Sequence, residues 1–101
     1  MEILKCLIGS MEKEICAADC YYSKSLAYKD IHSQLSSTYA EVASQELDHF
    51  MKFYTAANSY LTKKKAEGVD ITAHQMLWEY EHEKLLDDYN ELKYKIVKSG
   101  L

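Results

Sequence analysis

Proline is absent from this chain, and glycine stands at only three of its 101 positions, Gly9, Gly68 and Gly100. A β-rich fold turns often and draws on both residues to do so. With so few reversals available, the expectation is an all-α protein with a small number of long helices. The length fits one domain with a single core, residues 1–101.

Hydrophobic periodicity places three helices at about 2–28, 32–66 and 73–98. In the first, Leu7, Met11, Ala18, Tyr21 and Ser25 form the core stripe, flanked by Leu4 and Ala17. Asp30 is the expected N-cap of the second, and Lys63-Lys64-Lys65 with Gly68 closes it. Thr72-x-x-Gln75 reads as a capping box for the third. That helix carries Leu77 or Trp78, Glu81, Leu85, Tyr89, Leu92 and Ile96 on one stripe.

Glu46 and His49 lie three residues apart in the second helix and so project from one side of it. At about 100° per residue, Leu35, Tyr39, Val42, Phe50, Phe53, Ala57 and Tyr60 fall within roughly a quarter turn of Glu46. Glu46 is therefore a carboxylate in an expected core position, where it costs several kcal/mol unless a partner charge or a metal meets it. Glu14 lies within the first helix's stripe. Glu14 and Glu46 are each about sixteen residues from a turn at Asp30, or roughly 24 Å along an antiparallel hairpin. Glu14, Glu46 and His49 should meet at one height.

A hairpin with these three ligands is half of the set used by carboxylate-bridged di-metal bundles, which take six ligands from four helices. The third helix does not complete it. Glu79-x-x-His82 faces solvent at the wrong height, and Asp88 is the one nearby carboxylate close to the buried face. A two-fold homodimer of hairpins does complete it, because a symmetric interface repeats the same residues. The expected architecture is a long antiparallel hairpin plus a third helix, forming a four-helix-bundle-type core by homodimerisation or within a higher even-numbered homo-oligomer.

Other classes are disfavoured. The formal charge is −4, and all twelve basic residues are lysine, so the arginine contacts of nucleic-acid recognition are missing. No apolar run approaches the ~20 residues that span a bilayer. The opening segment has too short an apolar run for a signal peptide and carries Glu2. Three cysteines, Cys6, Cys16 and Cys20, suit a reducing cytoplasm better than a disulfide scaffold. They are expected to be small buried or interfacial thiols.

Residues 7–61 resemble the ferritin-like superfamily, and most of all the first two helices of rubrerythrins. The run Glu14-x-x-Ala17-x-x-x-Tyr21 resembles that family's first ligand segment. Glu41-Val-Ala-Ser-Gln-Glu46-Leu-Asp-His49-Phe-x-Lys52-Phe53 resembles its second. The chain has no fourth helix and no second glutamate-plus-motif half. It also lacks the Cys-x-x-Cys pair of the rubredoxin-type centre. In size and ligand set it is more similar to encapsulated ferritins, which build a di-iron site across a dimer interface.

The resemblance implies Fe(II) oxidation by dioxygen or peroxide, as a ferroxidase or peroxide-reducing oxidoreductase. Glu14 would be a terminal ligand, Glu46 a bridging one and His49 a nitrogen donor, with Tyr21 and Tyr39 as hydrogen-bond or redox partners around them. Manganese or a mixed pair suits the same ligands. The alternative is a metal-free helical dimer that keeps this scaffold as an interaction or assembly module, with Glu46 and His49 paired to each other.

Overall fold

The computed structural model describes residues 1–99 and contains three helices, α1 (Glu2–Tyr28), α2 (Ser33–Ala66) and α3 (Thr72–Lys98). No strand occurs among the described residues. The molecule is a rod of 56 × 17 × 17 Å, little longer than the ~51 Å of a 34-residue helix such as α2. Its radius of gyration is 16.2 Å, against about 13 Å for a compact domain of 100 residues.

α1 and α2 form the antiparallel hairpin, clamped beside its turn by two buried serines. Ser25 Oγ donates to the Ser36 carbonyl at 2.8 Å, and Ser36 Oγ donates to the Ser25 carbonyl at 2.7 Å. Both hydroxyls satisfy their polarity inside the core in this way. The turn itself departs from expectation. His32, not Asp30, caps α2, its Nδ1 accepting from the Leu35 amide at 3.1 Å. Asp30 stays exposed in the reversal, two residues before the N-cap position and too early to reach the first free amides.

At the second reversal Gly68 adopts φ 80, the left-handed conformation that ends a helix most cheaply when no Cβ is present. The expected capping box is not formed. Thr72 lies inside α3, and Asp70 accepts from both its amide (3.0 Å) and its hydroxyl (2.6 Å). This is an Asx-turn; it occupies the hydroxyl that a capping box would have used.

α3 packs into one of the two grooves of the hairpin. Phe50 of α2 is fully buried and stacks on Tyr89, ring centroids 4.9 Å apart. Tyr54 leans on Trp78 at 5.4 Å. Of the third stripe, Trp78, Leu85, Tyr89, Leu92 and Ile96 are buried, while Leu77 and Glu81 lie at its edge. In α1 the buried set is Leu4, Ile8, Met11, Ala18 and Ser25. Ile8 takes the place expected for Leu7, because α3 covers the Ile8 side and leaves Leu7 half-exposed.

Candidate metal centre

The hairpin's second groove faces away from α3, and Glu14, Glu46 and His49 sit there together. One ligand atom from each lies within 4.8 Å of the others. His49 Nδ1 is 3.6 Å from Glu14 Oε2 and 3.8 Å from Glu46 Oε2. The expected level pairing of the two glutamates is therefore present. It follows from the equal distances of residues 14 and 46 from the turn.

The expected burial of Glu46 needs correction. Its side chain keeps 22% of its surface exposed, Glu14 keeps 19% and His49 keeps 49%. The α2 stripe divides in two: Phe50 and Ala57 are buried, whereas Leu35, Tyr39, Val42, Phe53 and Tyr60 are half-buried on the same side as Glu46. A single hairpin and one third helix can cover only one groove. The cluster thus lies on the half-open, largely apolar face.

Glu14 Oε2 is itself buried and has no hydrogen-bond partner among the described residues. Burial pushes the Glu14 carboxyl above its ordinary value. The adjacent Glu46 carboxylate raises it further, and His49 opposes the rise. Two carboxylates and an imidazole nitrogen, all converging and one oxygen unsatisfied, form a mixed oxygen and nitrogen donor set of the kind that binds a divalent metal ion.

Tyr21 and Tyr39 lie on this face and stack at 6.0 Å with 19° between planes. Tyr28 extends the stack beyond Tyr39, also at 6.0 Å. Lys24 Nζ sits 5.7 Å and 5.6 Å from the Tyr21 and Tyr39 centroids. Among the described residues neither hydroxyl hydrogen-bonds to Glu14, Glu46 or His49.

Other chemistry-bearing residues stay apart from the cluster. Glu79 is exposed, and His82 is half-buried with Nδ1 2.7 Å from the Trp78 carbonyl. Asp88 borders the groove between α1 and α3 with Ile15 and Cys16. Cys6, Cys16 and Cys20 are free and exposed, so of the buried or interfacial placement expected of them burial does not hold. No further acid or imidazole joins the three among the described residues. No helix of the described residues is long and apolar enough to cross a membrane.

No family model matches the chain, and neither does any curated protein or solved structure with which it was compared.

Proposed function

We propose that two copies of this chain pair through the open hairpin face and bind two iron ions between them, as a ferritin-like di-iron protein with ferroxidase or peroxide-reducing activity. The observation that carries this reading is the buried, unpartnered Glu14 Oε2, held beside Glu46 and His49 on an uncovered apolar face. Each copy would contribute Glu14 and Glu46 as carboxylate ligands and His49 as a nitrogen donor. Two copies bring four carboxylates, whose charge two divalent cations balance.

Half-buried Leu35, Val42 and Phe53 supply the apolar contact for the partner. The accessible surface of 6603 Å² exceeds the roughly 5,900 Å² expected of a compact monomer of this mass, in keeping with a rod that has a face left to cover. A metal pair held in this carboxylate-rich site would supply two-electron chemistry toward dioxygen or peroxide, with Fe(II) as the electron source. The protein's part is to hold the donors level and to exclude water from the closed interface.

A second reading is supported by the 3.6 and 3.8 Å approaches of His49 to the two carboxylates. On that reading His49 pairs with the acids without metal, in a dimer that serves assembly alone. Anaerobic Fe(II) titration of metal-free protein, with molecular mass measured in parallel, separates the two. Saturation near two ions per two chains, lost in Glu14→Ala, supports the iron site. Absence of binding at micromolar Fe(II), with the dimer intact, leaves the assembly reading.

A further inference from the structure

α3 exposes a second surface, on the side away from the metal cluster. Met76, Tyr80, Tyr94 and Val97 are 67%, 80%, 63% and 70% exposed. At about 100° per residue, Met76, Tyr80 and Tyr94 point within roughly 20° of the direction opposite buried Trp78, with Val97 to one flank. They fall into two apolar clusters separated by exposed Glu83, Asp87 and Asn90. Large apolar side chains repeated along one exposed line of a helix mark an interaction surface.

The pattern reads the same in reverse about Asp87. Turning α3 end for end lays Met76 and Tyr80 against Tyr94 and Val97. The same reversal brings Lys84 level with Glu91, which also pairs with Lys95 at 3.2 Å, on one flank, with the midpoint of Lys84 and Glu91 within one residue of Asp87. Opposite charges therefore meet beside the apolar contacts. This is the self-complementarity of a two-fold interface, in which the same patch serves both partners.

We propose that the outer face of α3 is a homotypic docking surface on which α3 of a second copy lies antiparallel, its two-fold axis passing near Asp87. The contact does not depend on the metal reading, since it uses the opposite face of the rod. Where the hairpin face also pairs, it joins those pairs into larger even-numbered assemblies. Asp87 meets its own copy at the axis. This like-charge contact weakens the seam and keeps association reversible.

Sedimentation velocity over a concentration series of the full chain tests this. The wild type should show an association step that Tyr80→Glu and Tyr94→Glu each weaken at least about tenfold. Both positions are exposed, so helicity by circular dichroism should be unchanged. Asp87→Asn should tighten the step several-fold, whereas Glu41→Gln, the same charge change at an exposed position on α2, should not. Lys84→Glu should weaken it and Lys84→Glu with Glu91→Lys should restore it. Fe(II) stoichiometry should be the same in every variant, which separates this contact from the hairpin interface. The proposal is overturned if no association step responds to Tyr80→Glu and Tyr94→Glu, if Asp87→Asn and Glu41→Gln act alike, or if the double exchange stays as weak as Lys84→Glu.

Discussion

Glu14 Oε2 and His49 Nδ1 are 3.6 Å apart, beyond ordinary hydrogen-bond length, on two helices whose meeting height is set by a turn some sixteen residues from Glu14. The acid is more buried than the base. Nothing among the described residues closes the remaining gap, and that leaves Glu14 a poorly compensated charge when no metal is present.

The pH dependence of the metal-free protein follows from this. Folding raises the Glu14 pKa, so its contribution to stability is fully present below the unfolded value and is lost as pH rises through the folded one. Glu14→Gln keeps the shape and removes the charge. It should raise metal-free stability near neutral pH by about 1 kcal/mol and flatten the decline above the acid range. Urea denaturation of chelator-treated protein at mildly acidic and neutral pH measures both; a Gln variant less stable than wild type at neutrality would show that His49 fully compensates the carboxylate.

The serine clamp should be asymmetric. The Lys29 amide turns to the Leu26 carbonyl at 3.3 Å, so the buried Ser25 carbonyl depends on the Ser36 hydroxyl. Ser36→Ala leaves that carbonyl without a donor and should cost about 1–3 kcal/mol. Ser25→Ala removes a bond to a carbonyl already within α2 and should cost about 1 kcal/mol or less. Chemical denaturation of the two variants ranks them; the opposite order would mean that Ser36 is held by Ser25 and not the reverse.

Much of the hairpin was legible in the residues themselves. Helical rise alone set Glu14 level with Glu46, and scarce turn residues left two reversals and three helices whose ends fall within one residue of expectation. Which side of each helix is covered was not legible. Leu7 and Ile8 are equally apolar, and only the groove chosen by α3 decides that Ile8 is buried. The same choice divides the α2 stripe and leaves Glu46 and His49 on a half-open face. The caps were misread for a local reason: Asp30 and Thr72 are good capping residues, but His32 and Asp70 stand at the distances from which a free amide can be reached.

Docking of α3 rests heavily on Phe50, which is fully buried between Tyr89 and Tyr54. Phe50→Ala should cost about 3–5 kcal/mol, a large share of the ~5–15 kcal/mol typical of a whole domain. Tyr89→Phe should change stability by less than about 0.5 kcal/mol, because the ring stack survives and the hydroxyl gives up only a 3.3 Å contact from Lys93 Nζ. Thermal unfolding of both variants decides the matter. A costly Tyr89→Phe would show that the hydroxyl, and not the ring, anchors the third helix.

The start of α3 should be acid-sensitive through Asp70. Its hydrogen bonds from the Thr72 hydroxyl and amide lower its pKa. The stabilisation is therefore present above the unfolded value and is lost as pH falls through the folded one. Asp70 is fully exposed, so the effect is local: the first turn of α3 loosens while the rest of the rod stays folded. Amide hydrogen exchange reads it directly. Thr72 should be protected at neutral pH in the wild type and lose protection once acid protonates Asp70, and Asp70→Ala should exchange fast at either pH. If Thr72 is as well protected in Asp70→Ala as in the wild type, the Asx-turn is not what holds the amide. The helix then starts on its own packing, through Ile71, which is 9% exposed.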